Sequence, residues 1–237
     1  MSKQKDEVLG HKGADEKRPV SGKRKKAISG PIRDKARTMK TVKEAFRRVF
    51  IKKGYSGLTG ANVAEEAGVH PSLISSYFKG IDTLSEAYIM EQDFWNMADK
   101  KMIKRMLTKP ESIGREQITA LSQGQLERMV EDRELQQIIQ WEIAEKNRVL
   151  RKLADKREEI GEQLFGIIEP DFLNAGVDIR AKLALQIAGI YYLVLHATTN
   201  GSLFCGLDLN TTEDVARLRK VLEDNVNAIY AEAKVDK

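Results

Sequence analysis

An all-α fold is predicted by three features of the sequence. From Thr38 onward the large apolar residues recur at three-and-four spacing, no stretch sustains period-two alternation, and Gly or Pro falls between the periodic segments. A chain of 237 residues is long enough to bury a sizeable core, as one large domain or two smaller ones.

The first periodic segment places Met39, Val42, Ala45, Phe46, Val49 and Phe50 on one face and Lys43, Arg47 and Arg48 on others, and Gly54 stands where a helix ends. Thr59 is in position to cap a short second helix that buries Val63 and Ala64. Gly68 breaks the chain, and Pro71 suits the first turn of a third helix, where its missing N–H has no helical partner. That helix turns Leu73, Ile74 and Phe78 inward and stops at Gly80. Asp82 then caps a fourth helix that runs through Leu84, Ala87, Tyr88, Phe94 or Trp95, Ala98, Met102 and Met106 and ends by Pro110. If continuous, its roughly 25 residues reach about 38 Å. Further helices are expected at 113–130, 132–146, 148–168, 178–199 and 212–233, punctuated by Pro170, Gly176, Gly201 and Gly206.

Charge is unevenly placed. Of 40 Lys/Arg and 35 Asp/Glu, residues 1–40 hold 13 and 5, so the other 197 residues hold 27 and 30. Residues 1–37 carry few large apolar side chains to offset the entropy of ordering and read as a disordered basic arm, densest at Lys23-Arg24-Lys25-Lys26. Such an arm suits a polyanionic partner such as nucleic acid, or is simply a solvated leader.

Several function classes are disfavoured. Cys205 is the only cysteine, so an internal disulfide and a Cys-based zinc site are both excluded, which fits a reducing cytoplasm. No N-terminal apolar segment resembles a signal peptide. The longest apolar stretch, Leu183 to Leu195, is interrupted by Gln186 and falls short of the roughly 20 residues that span a bilayer, so no membrane partner is expected. The sequence has no Walker-type or dinucleotide Gly loop, and His11, His70 and His196 lack metal-ligand spacing, so neither enzyme activity nor a cofactor is expected. Glu142, Glu145, Glu158, Glu159 and Glu162 read as a solvated helix face, because the Glu-x-x-His pairing of di-iron bundles is missing.

Two helices of about seven residues joined by a Gly-containing turn form a helix-turn-helix, whose second helix enters the major groove. Short hydroxyl side chains at Ser72, Ser75 and Ser76 let that helix approach closely and bond to base edges and phosphates. Phe50, Gly54-Tyr55, Val63-Ala64, Ala67-Gly68-Val69, Ile74, Tyr77-Phe78 and Leu84 together resemble, without gaps, the N-terminal domain of the TetR family of bacterial transcriptional regulators. The resemblance covers about 50 residues. It implies a three-helix DNA-binding head at 38–84, then a larger helical regulatory and dimerisation domain at 85–237. It also implies a homodimer that binds double-stranded DNA as a repressor until a small-molecule effector arrives. By position, Thr59 meets a phosphate, and His70, Pro71, Ser72, Ser75, Ser76 and Tyr77 form the recognition surface. Leu58, Gly60, Ser75, Tyr77 and Ile81 depart from the family's usual residues, and Lys79 stands in for the phosphate-binding Lys expected at 81.

The segment Ala181 to Leu195 is apolar nearly all round, so it must be buried on more than one side. Leu183, Ile187, Ile190, Tyr191 and Val194 suit the subunit core. Leu185, Ala188, Gly189, Tyr192 and Leu193 then face a partner copy, joined by the last helix through Leu218, Leu222 and Ile229 in a stripe with Val215 and Val226. A two-fold dimer engages half-sites roughly 34–36 Å apart, and arm contacts add affinity that falls by about 0.9 log unit per log unit of salt for each phosphate neutralised. The effector cavity implied by the resemblance is expected among Met129, Trp141, Phe165, Tyr191 and His196, each of which also suits ordinary core packing. The rival reading is a helical dimeric interaction protein of the same fold without sequence-specific DNA binding, motivated by the departures at Leu58, Gly60, Ser75 and Ile81.

Overall fold

A computed structural model describes residues 31–91 and 97–235. Among these residues the chain forms ten α-helices and no strand. The order is α1 (Pro31–Lys53), α2 (Gly60–Ala67), α3 (Ser72–Phe78), α4 (Ile81–Glu91), α5 (Met97–Thr108), α6 (Arg115–Glu131), α7 (Arg133–Ala144), α8 (Arg148–Leu173), α9 (Ile179–Asn200) and α10 (Thr212–Ala233). Single 3-10 turns follow α1 and α5.

Helix ends follow local chemistry. Thr59, Asp132, Asn147, Asp178 and Thr211 each accept a backbone N–H of the helix they precede. Gly68, with φ at 65°, closes α2: its N–H reaches Glu65 O and the Val69 N–H reaches Ala64 O, both at 3.0 Å. Phe172, Gly176 and Val177 close α8 in the same way.

Four expectations are corrected. Helix α1 begins at Pro31, seven residues before Thr38. The charged run Arg33–Arg37 gives no apolar period, but adding a turn to a formed helix needs no new nucleus, and Pro is tolerated at the first position. Helix α3 ends at Lys79, itself left-handed with φ at 62°, and the Gly80 carbonyl already accepts from Leu84 in α4. Asp82 lies in the first turn of α4 rather than ahead of it. Pro170 does not end α8: it forfeits one backbone bond and the helix runs on to Leu173. The continuity of the expected long fourth helix, with Phe94 and Trp95, lies outside the described residues, as do residues 1–30 of the arm.

The buried side chains fall into three clusters. The first joins Val42, Phe46, Phe50, Val63, Ala64, Ile74, Phe78, Leu84 and Tyr88 of α1–α4 to Ile138 and Trp141 of α7 and Leu150 and Leu153 of α8. The N-terminal head therefore shares its core with the helices behind it. Trp141 lies 5.8 Å from the Phe50 ring and stacks parallel on Tyr55 at 5.9 Å. The second cluster gathers α5, α6, α8, α9 and α10 around Phe172 and Tyr230, whose rings meet edge-on at 5.0 Å. The third packs Leu126, Met129, Ile139, Ile190, Val194 and Leu222 between α6, α7, α9 and α10.

Candidate nucleic-acid interface

Helices α2 and α3 hold their relative angle through buried apolar contacts and a fixed turn. Val63 and Ala64 of α2 and Ile74 and Phe78 of α3 are buried in one core with the apolar face of α1. Ahead of α2, the Asn62 Nδ2 donates to Gly57 O at 2.8 Å. A Cβ on Gly57 would lie 2.3 Å from the Lys53 Cβ, so only glycine fits this approach. Arg48 of α1 grips Glu66 of α2 at 2.6 Å and holds that carboxyl below the usual Glu range.

With Ile74 and Phe78 turned in, α3 presents Ser72, Ser75, Ser76 and Lys79 outward, all exposed and at three-and-four spacing on one face. Thr59, His70 and Pro71 are exposed beside them. The His70 Nδ1 accepts the Ser72 backbone N–H at 3.3 Å and lies 2.8 Å from the Ser72 hydroxyl. That tautomer leaves Nε2–H as a donor. Tyr77 is only half-exposed, its ring packed on the head core beneath the Lys35 ammonium at 5.3 Å. Lys35 is thus a basic residue of the same surface that apolar periodicity gave no reason to single out. Of the departures from the family's residues, Leu58 and Ile81 pack against the head core, which explains their apolar character. Thr59 spends its hydroxyl capping Asn62 N–H at 3.1 Å and keeps its own hydroxyl proton to donate.

The head is joined to α7 by more than apolar contact. Glu134 accepts from Arg47 Nε at 2.8 Å and from the Tyr88 hydroxyl, while its side chain is only 11% exposed. Burial first, then Glu134, pushes the Tyr88 hydroxyl well above its ordinary pKa. Lys152 of α8 also meets Glu86 of α4 at 3.1 Å.

The other expected sites separate. Leu185, Ala188 and Tyr192 are exposed on α9, and Gly189 and Leu193 are half-buried. Leu222 and Ile229 do not face outward: both are buried in the subunit's own core, with Leu218 packed beside them, because the strongest apolar stripe of α10 serves α6 and α9. The exposed apolar residues of α10 are Ala216, Val221, Ala228 and Ala231 instead. Ile187 was expected in the core and is 38% exposed. A groove of about 370 Å³ runs between α9 and α10 beside Leu185 and Ala228, with Ile229 at its floor.

Among the five residues expected around an effector, Met129 and Trp141 are buried in the third and first cores. Tyr191 accepts from Gln125 Nε2 at 3.1 Å. His196 stacks on Tyr192 near the α9 C-terminus and lies 2.8 Å from the Ser202 hydroxyl. Phe165 borders an apolar cavity of about 130 Å³ between α6, α8 and α9. Among the described residues no three His, Cys, Asp or Glu side chains are grouped to hold a metal, and no helix is long and apolar enough to cross a membrane.

Residues 44–88 match the sequence pattern of bacterial regulatory proteins of the tetR family. Solved structures share the fold over most of the chain. The transcriptional regulator FadR from Bacillus subtilis, in complex with stearoyl-CoA, is 21% identical with a TM-score of 0.51, the match covering 79% of this chain and 97% of that one. A putative fatty acid metabolism regulator from Clostridium perfringens is 18% identical at 0.50, covering 78% and 97%. NalD, the secondary repressor of the MexAB-OprM multidrug efflux pump in Pseudomonas aeruginosa, is 16% identical at 0.50, covering 81% and 96%. No curated protein matches the chain.

Proposed function

From its N-terminal domain of the tetR family of bacterial regulatory proteins, we propose that this protein is a ligand-responsive repressor that binds a palindromic operator as a homodimer. The observation that carries the reading is the division of α3, which buries Ile74 and Phe78 and exposes Ser72, Ser75, Ser76 and Lys79 on one face. The short side chains admit the helix to the major groove and the hydroxyls bond to base edges, while Lys79, Lys35 and Thr59 meet phosphates. The exposed apolar face of α9, with Val221 and Ala228 of α10, supports a two-fold pairing that sets the spacing of two heads.

The effector site is the cavity between α6, α8 and α9. A ligand shifts an equilibrium only by binding one arrangement better than another. Helix α7 packs on α6 and α9 and also carries Glu134 and Trp141 into the head, so a displacement at the cavity reorients the head through α7. A coupling of roughly 1–3 kcal/mol weakens operator binding five- to 150-fold.

The test is selection of bound genomic fragments, followed by fluorescence anisotropy of the selected fragment and a random-sequence fragment at two salt concentrations. The expected result is a preferred fragment for the wild type and equal, salt-sensitive affinity for both fragments once Ser72, Ser75 and Ser76 are replaced by Ala. Equal affinity for both fragments in the wild type would instead support a helical interaction protein of the same fold.

A further inference from the structure

The cavity between α6, α8 and α9 is built from three regular stripes. Helix α6 supplies Ile118, Leu121, Ser122 and Gln125, and α8 supplies Gly161, Leu164, Phe165 and Ile168. Leu183 and Ile187 of α9 close it. On both α6 and α8 the residues fall at i, i+3, i+4 and i+7, the spacing of a packed helix face. On α8 one member of that face has no side chain. Gly161 sits in the middle of a 26-residue helix, where glycine costs helix stability relative to almost any other residue. No clash requires it, since a Cβ built on Gly161 would meet no atom within 4 Å.

No charged residue lines the space. Two guanidiniums stand near it, both already paired: Arg157 of α8, one turn before Gly161, is held by Glu142, and Arg180 of α9 lies 4.6 Å over Phe165 and is held by Glu162 at 2.6 Å and Glu169 at 2.7 Å. The polar groups that reach the cavity wall are the Ser122 hydroxyl and the Gln125 amide, the latter donating to Tyr191. Burying an ionised group in such surroundings is strongly unfavourable, whereas a hydroxyl or carbonyl finds a partner. A dry apolar cavity of about 150 Å³ is known to take benzene, and this one is about 130 Å³.

We infer that the cavity takes an uncharged apolar group of about six non-hydrogen atoms, or the end of a longer chain, and that Gly161 is the residue that sets how deep it enters. The inference deepens the effector site proposed above and rests on that reading. The missing side chain leaves the depth of the cavity open, Phe165 and Ile187 flank it, and Ser122 with Gln125 orients the one polar atom.

The experiment uses the full chain with isoleucine methyls labelled for NMR and three probes of one chain length: 1-pentanol, pentanoate and pentylamine. In the wild type, 1-pentanol is expected to shift the methyls of Ile118, Ile168 and Ile187 saturably, with Ile74 and Ile89 of the head unmoved. Pentanoate and pentylamine should bind at least roughly tenfold more weakly, since each carries a charge. Gly161→Leu should abolish the shifts while leaving the head methyls in their wild-type positions. Gly161→Ala, which occupies one methyl's volume, should weaken 1-pentanol by roughly fourfold. Equal binding of the charged probes would overturn the ligand class. Unchanged 1-pentanol binding in both variants would overturn the role of Gly161, and no saturable shift in the wild type would overturn the inference as a whole. Operator binding by the same wild-type sample, followed by anisotropy, reports separately on the regulator reading.

Discussion

Replacing Glu134 by Ala should loosen the head from the rest of the molecule, by an amount that the contacts at this carboxylate determine. Tyr88 is 4% exposed, and its hydroxyl donates to Glu134. Deleting the acceptor removes a hydrogen bond to a charged group, which costs about 1.5–3 kcal/mol. The Arg47 side chain is 56% exposed, so its ion pair adds at most about 1 kcal/mol. The expected loss for Glu134→Ala is therefore about 3 kcal/mol, or roughly 6–12 °C in Tm for a chain of this length. Glu134→Gln keeps an acceptor for Tyr88 and loses the charge, so it should cost less than half as much. Thermal unfolding of Glu134→Ala, Tyr88→Phe and the double variant forms a cycle, and a coupling of about 1–2 kcal/mol is expected between the two residues. Additive effects, or a Glu134→Ala protein within about 0.5 kcal/mol of wild type, would refute the assignment of Glu134 as the polar tie between head and α7.

Three further outcomes follow from other parts of the structure. Lys79 holds a left-handed backbone at φ 62°, so Lys79→Gly should raise stability by up to about 1 kcal/mol in urea unfolding while lowering DNA affinity and its salt slope by about 0.9. The Tyr88 hydroxyl is raised above its ordinary value of 10, so the unfolded chain loses that proton first. Its contribution is therefore complete below about pH 10 and fades above it, by up to about 1.4 kcal/mol per pH unit. Tyr88→Phe should flatten that decline in alkaline urea titrations, with Tyr191 and Tyr230, both also raised by burial, accounting for what remains. Leu185 is 76% exposed, so Leu185→Lys should leave the subunit's melting intact yet yield monomers in sedimentation, with a dimer of unchanged strength ruling α9 out as the seam.

The parts of this fold that sequence reveals are those set by neighbours along the chain. Thr59, Gly68 and Pro71 mark the helix-turn-helix because capping, left-handed closure and a missing N–H are local chemistry. Helices α6 to α10 are equally legible, since apolar period and flanking breakers fix where each begins. What sequence hides is which partner an apolar face meets. Trp141 has the character of a cavity-lining aromatic, yet it is drawn into the head core by Phe50 and Tyr55, some 90 residues away in sequence. Leu222 and Ile229 make the most apolar stripe of α10 and so invite assignment to an interface, but the subunit uses that stripe itself and leaves the weaker one, Val221 and Ala228, outside. Gly161 carries no signal in sequence beyond an interruption in a helical face; the space beside it exists only once α6 and α9 are in place.

The most direct test of α3 as the DNA-reading element is site-directed cleavage. An iron chelate attached at Ser76→Cys, in a chain whose Cys205 is replaced by Ser, should cut a selected genomic fragment at two positions about one helical turn, or 34–36 Å, apart. Cleavage spread evenly along the fragment, or confined to a single position at saturating protein, would contradict the account.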